Sequence, residues 1–187
     1  MSKIPGAILP YNGKWPKLAD DVFVAPGAQI IGDVEIGSGS SIWFNTVIRA
    51  DDNPVRIGKR VNIQDGSVVH VHSKYQGTYI GDDVTVGHMV LLHACNLENG
   101  AFVGMGSIVL DQCTIETHGM LAAGALLTAG KIVKSGELWA GRPAKLMRSL
   151  TLEEINNFDW TVETYSERAK EFDTEFKAIG KKKALEA

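Results

Sequence analysis

Aliphatic residues return every six positions along most of this chain, and few folds accept that spacing. One run holds Leu18, Val24, Ile30, Ile36, Ile42 and Ile48; others hold Ile57, Ile63 and Val69, then Ile80, Val86 and Leu92. The last holds Leu97, Val103, Val109, Ile115, Leu121 and Leu127. An α-helix returns its apolar face every three or four residues, so this period excludes one. It fits a solenoid of short strands, each hexad forming one side of a triangular coil and hydrogen-bonding to the coils above and below. Eighteen hexads make six coils, a stack of about 29 Å at roughly 4.8 Å per coil. Gly32, Gly37, Gly58, Gly81, Gly87 and Gly104 fall near hexad starts, where corners are expected to need unusual φ.

The chemistry changes after Gly141-Arg142-Pro143-Ala144. Thr151 and Glu154 form a capping-box pattern, followed by an apolar stripe from Ile155 through Phe158, Val162, Tyr165, Ala169, Phe172 and Phe176 to Ile179. This reads as an amphipathic helix ended by Gly180, packed along the stack or on a neighbouring subunit. The expected organisation is an N-terminal cap over 1–17, repeats over 18–140, a connector over 141–150, a helix over 151–180 and a tail over 181–187.

The 187 residues suffice for one substantial core, and a net charge of −3 gives no reason to expect nucleic acid or an anionic membrane as partner. No apolar run approaches the ~20 residues that span a bilayer. Residues 1–13 lack a charged-then-apolar leader pattern. With only Cys95 and Cys113, a cytoplasmic protein with reduced thiols is expected, Cys113 at a small inward position of the repeat.

The repeat breaks three times: three extra residues around 51–54, five extra within 71–77, and one residue missing between Leu92 and Leu97. Each break follows one column of the stack, occupied by Arg49, His70 and His93. His70 and His93 are three hexads apart and therefore stand on consecutive coils, close enough for two imidazoles to share an ion. A catalytic zinc takes three protein ligands and keeps one open position. His88 belongs to the preceding hexad and hence to another edge of the triangle, so a site including it closes only across copies of the chain. Three prisms about a threefold axis would do this. On pattern alone the alternative stays open that two stacked histidines are a solvated polar ladder. His72 and His118 have no stacked partner and read as surface or loop residues.

At these residues the chain resembles the γ-class carbonic anhydrases. The matching pieces are Arg49-Ala50-Asp51, then Gln64-Asp65 with His70 five residues beyond, then His88 with His93 five beyond. The resemblance implies a left-handed parallel β-helix with a C-terminal α-helix, assembled as a homotrimer with metal sites at the subunit interfaces. It implies that His70 and His93 of one subunit and His88 of the next bind Zn²⁺, with Fe²⁺ or Co²⁺ able to fill the same donor set. Zinc would bring the pKa of its water to about 7, and the hydroxide would convert CO₂ to bicarbonate. It further implies that Gln64 orients hydroxide or product, and that Arg49, Asp51 and Asp65 form interfacial ion pairs. The best-studied type of this enzyme carries a glutamate proton shuttle after the first histidine, whereas residues 71–79 here contain no Asp or Glu. Asp52 occupies the position of a second acidic residue, which implies that it would shuttle protons instead. Tyr165 resembles a tyrosine that many bacterial relatives have near the metal, though it also fits the apolar stripe.

Three functions therefore compete. The first is metal-dependent CO₂ hydration. The second is a hexapeptide acyltransferase or thioesterase acting on coenzyme A derivatives, for which Gly141-Arg142-Pro143-Ala144-Lys145 resembles the segment that closes the repeats. The third is a structural, metal-stapled trimer with little catalysis, which the missing acidic loop favours.

Overall fold

A computed structural model describes residues 7–185 of the chain; the start of the N-terminal cap and the end of the tail lie outside them. The hexads wind into a left-handed parallel β-helix, closed by one C-terminal helix. Its three faces each carry seven rungs, one more than the hexads count. The addition at the start is Ala7–Leu9, which pairs in parallel with Gln29–Ile31 as the first hexad, Lys17–Leu18, does with Glu35–Ile36, and at the other end Ile132–Val133 pairs with Thr114–Ile115 as the last rung of its face. Glu137–Gly141 adds the last rung on its face and folds back on Ala144–Ser149 as an antiparallel ribbon.

The inward ladder is the hexad series: Ile30, Ile48, Val69, Leu92, Val109 and Leu127 have no exposed surface. The outward residues distinguish the faces. One face presents Lys17, Glu35, Arg56, Tyr79, Asn96 and Thr114. A second, running through Phe23, Ser41, Asn62, Thr85 and Phe102, lies under the helix. The third presents Val47, Val68, Leu91, Ile108 and Leu126 in register on successive rungs, all of them partly open to solvent. Among the described residues, nothing in the single chain covers that aliphatic ladder.

Several corner glycines serve a purpose other than the expected one. Gly37, Gly58, Gly81, Gly87 and Gly104 do not have positive φ; a Cβ on any of them would approach the backbone of the next rung to within 2.4–2.8 Å. Stacking distance, not dihedral freedom, excludes a side chain there. Of the six, Gly32 does take a left-handed φ of 83°; the other left-handed corner positions lie elsewhere, and several are non-glycine: Asn45, Arg60, Met89 and Ala94 have φ of 47–59°.

The helix runs Leu152–Leu185 and starts on a formed capping box, with Thr151 Oγ1 accepting from Glu154 N (3.2 Å) and Glu154 accepting from Thr151 N (2.9 Å). It passes through Gly180 instead of stopping there. One glycine costs about 1 kcal/mol in a helix, too little to end it when Lys181-Lys182-Lys183-Ala184-Leu185 continue with good helix formers. Its stripe packs along the chain's own stack from the fifth rung back to the first. Phe158 stacks on Phe102 at 4.8 Å, Tyr165 meets the edge of Trp43 at 5.3 Å, and Phe172 and Phe176 reach Phe23 at 6.3 Å.

Candidate functional site

The three irregularities of the repeat all fall on the edge between the aliphatic and polar faces. The first makes no loop: Val47–Ile57 runs as one strand across the corner, and its extra residues are absorbed by a register shift opposite Gly32 and Val34. The second is the loop through 71–77, tied down on both sides. Asn53 donates to the His72 carbonyl (2.6 Å), Gln76 to the Ala94 carbonyl (2.7 Å), and Thr78 to the His70 carbonyl. The third tightens the corner at Ala94, which takes φ 47°.

On this edge the ladder pairs His93 with His70, and their ring centres lie 5.2 Å apart. A tetrahedral ion about 2.1 Å from one nitrogen of each ring would hold the centres about 5 Å apart, so the pair fits a shared divalent ion. His70 Nε2 meets Asp51 Oδ1 at 3.0 Å, and Asp51 is ion-paired to Arg49 within the chain. Burial, then the charges of Arg49 and His93, push the His70 pKa down. The neutral imidazole thus favoured is the form that ligates metals. Asp52 is exposed beside them, its backbone N–H on Asp51 at 3.2 Å.

His93 places Nδ1 on Asp111 Oδ1, and the other Asp111 oxygen lies 3.9 Å from His72 Nε2. His72 is not a free surface residue: it is half-buried, lies over Tyr75 at 4.3 Å and stands 6.3 Å from His93. Neither Asp111 nor this place for His72 follows from counting hexads. The available signal was an aspartate two residues beyond Val109, on the coil directly after His93. His118 takes φ 56° at a corner, its ring over Gly100.

His88 stands on a different edge, between the helix-covered and aliphatic faces. Its Nδ1 meets Asp65 Oδ2 at 2.9 Å, and its Nε2 faces the Tyr165 hydroxyl at 3.3 Å. With Nδ1–H donated to the carboxylate, Nε2 is the acceptor and Tyr165 donates. Burial raises the Tyr165 pKa, and Asp65 adds to the effect. Gln64 is buried beneath this corner, its Nε2 donating to Asn62 Oδ1 (3.0 Å), while Asn62 Nδ2 donates to Thr85 Oγ1 (2.9 Å). Trp43, Phe44, Asp65, Tyr165, Arg168 and Phe172 line a cleft of about 370 Å³ beside it.

Each of the three histidines thus has its own carboxylate: Asp51 for His70, Asp111 for His93 and Asp65 for His88. Among the described residues no three His, Cys, Asp or Glu side chains of one chain converge enough to hold an ion. The structure brings His70, His93, Arg49, Asp51 and Asp52 together on one edge, and His88, Asp65, Gln64 and Tyr165 on another.

Residues 16–50 match the family model described as bacterial transferase hexapeptide (six repeats). "Gamma carbonic anhydrase 2, mitochondrial" of Arabidopsis thaliana is 48% identical over 157 residues, covering 81% of this chain and 56% of that protein. "Carbonic anhydrase" of Geobacillus kaustophilus is 44% identical over 161 residues, covering 86% of this chain and 88% of that one. Among solved structures, a hexapeptide transferase family protein from Anaplasma phagocytophilum superposes with a TM-score of 0.86 at 51% identity, covering 89% of this chain and 98% of that chain. The chain spans little more than half the length of the Arabidopsis relative.

Proposed function

Because the chain belongs to the γ-class carbonic anhydrase family, we propose that it is a metal-dependent enzyme that interconverts CO₂ and bicarbonate, working as a homotrimer. His70 and His93 of one subunit and His88 of the next are the proposed ligands. The observation that carries this reading is that each of these imidazoles has a carboxylate partner, and two of them stand 5.2 Å apart. Carboxylates behind ligating histidines fix ring orientation and raise ligand basicity.

The trimer rests on the uncovered aliphatic face. Strand Leu91–His93 crosses it from the His88 corner to the His70–His93 edge. Exposed Met89 and Met105 extend the apolar surface around the His88 corner. A patch of this kind marks an interaction surface. Copies meeting there about a threefold axis carry His88 of one toward the histidine pair of another.

When bound, zinc, iron(II) or cobalt(II) supplies a Lewis-acidic centre that yields hydroxide from water near neutral pH. The residues do the rest. Burial favours the neutral form of His70, and Asp65 holds His88 through Nδ1, so that the ligating atom is Nε2, which the Tyr165 hydroxyl meets in the single chain. The Gln64 amide, anchored through Asn62, orients hydroxide or product by hydrogen bonding. The Tyr165 hydroxyl adds a donor on the His88 side, and exposed Asp52 accepts the released proton. Arg49 steadies Asp51 behind His70. A reducing compartment such as the cytoplasm accords with the free, buried thiols of Cys95 and Cys113.

The test is elemental analysis and solution mass on anaerobically purified protein, followed by stopped-flow CO₂ hydration of the loaded form. A trimer carrying metal and exceeding the buffer rate supports the reading. A loaded trimer without any rate favours a structural role, and a metal-free monomer rejects both. Coenzyme A acyl transfer is a second reading, motivated by the hexapeptide transferase name of the Anaplasma relative; absence of coenzyme A binding in calorimetry disposes of it.

A further inference from the structure

Asp111 has no place in the hexad logic, yet its carboxylate lies between two imidazoles. One oxygen takes His93 Nδ1, and the other lies 3.9 Å from His72 Nε2. Among the described residues, no lysine or arginine pairs with it. The arrangement around it is built. The Asp111 carbonyl accepts Gly130 N–H at 2.9 Å, fixing its backbone to the next rung. His72 Nδ1 accepts the Lys74 N–H at 3.0 Å, so the His72 proton sits on Nε2 and points toward Asp111. Asn53 holds the His72 carbonyl, and the Tyr75 ring lies over the imidazole.

From this geometry we propose that Asp111 is a positioning residue for His93. It accepts the Nδ1–H, fixes the tautomer with its lone pair on Nε2, and holds the ring so that Nε2 faces the His70 side. His72, fixed by the insertion loop, flanks the Asp111 carboxylate on its other side. The inserted loop then has a purpose beyond length: it walls in the carboxylate that orients a ligand. The inference rests on the metal reading above, in that positioning matters only if His93 ligates.

The test uses cobalt(II) as probe on the full-length protein, with wild type, Asp111→Ala, Asp111→Asn and His72→Ala compared. Asp111→Ala should weaken cobalt affinity about 10- to 100-fold and change the visible cobalt spectrum, without altering solution mass. Asp111→Asn keeps an acceptor oxygen and should recover most of that loss. His72→Ala should give a smaller weakening in the same direction. If wild type binds cobalt and Asp111→Ala binds it within twofold with an unchanged spectrum, the inference is overturned and the metal reading stands. If wild type binds no cobalt, the metal reading falls, and the inference falls with it. Nitrogen-15 NMR of metal-free wild type covers the case in which Asp111→Ala does not fold. A His93 proton on Nδ1 supports the proposal, and one on Nε2 overturns it.

Discussion

The Tyr165 hydroxyl lies 3.3 Å from His88 Nε2, joining the middle of the C-terminal helix to a corner of the β-helix 77 residues earlier. The helix therefore does more than cover a face. Its register along the stack, set by Phe158 on Phe102 at one end and Phe172 and Phe176 on Phe23 at the other, decides where that hydroxyl stands.

Removing only the hydroxyl separates the two roles of Tyr165. Tyr165→Phe keeps the ring against Trp43 and should cost no more than about 1 kcal/mol of stability. Metal content should be unchanged, since Asp65 still holds His88. CO₂ hydration should fall on the order of tenfold, less than the ~10² typical of losing a full oxyanion donor. Equal rates for variant and wild type would reduce Tyr165 to a packing residue.

Leu91 and Leu92 are neighbours on one strand with opposite fates. Leu92 is fully buried in the central ladder, and Leu92→Ala should lower unfolding free energy by about 2–5 kcal/mol, measured by urea denaturation. Leu91 points outward on the uncovered face. Leu91→Glu should leave the β-helix circular dichroism intact while sedimentation shows dissociated subunits that no longer retain metal. A Leu91→Glu trimer would move the interface to another face.

Burial pushes the thiols of Cys95 and Cys113 above their ordinary range. Both should resist iodoacetamide at pH 8 in the native protein and react fully in denaturant, as read by mass spectrometry. Rapid native labelling of either would mean that the core opens readily.

Glu154 accepts two hydrogen bonds from Arg148 and one from the Thr151 N–H, which hold its pKa down at about 2. A carboxyl depressed on folding contributes stability that is present above its unfolded pKa and lost as pH falls through the folded value. The first turn of the helix should therefore stay ordered at pH 4 and loosen only near pH 2. A carboxyl NMR titration of Glu154 reads this directly, and a midpoint near 4.5, its ordinary value, would deny the cap.

Much of the architecture was legible because a β-helix repeats one physical constraint. An inward Ile48 and an inward Val69 face the same core, so counting by six also counts rungs, and it sets His93 on His70. The helix was legible from Thr151 and Glu154, whose reciprocal hydrogen bonds are local. Features that depend on neighbouring rungs were not. Gly58 carries no φ signal, and its need for a bare Cα appears only when Gly81 is stacked above it. The first rung, Ala7–Leu9, has no hexad of its own and is recruited by Gln29–Ile31. Asp111 escaped because column counting sets it beside Ala94, whereas its side chain reaches sideways to His93 and toward His72.

Subunit complementation asks most directly whether one imidazole arrives from a sister chain. His88→Ala and His93→Ala homotrimers should each be metal-free. In a mixed trimer of the two, one junction joins an intact His70–His93 pair to an intact His88, so mixing should restore about one ion per mixed trimer. Mixtures that form mixed trimers by native mass spectrometry yet bind no metal would contradict the account, as would metal retained by either homotrimer alone.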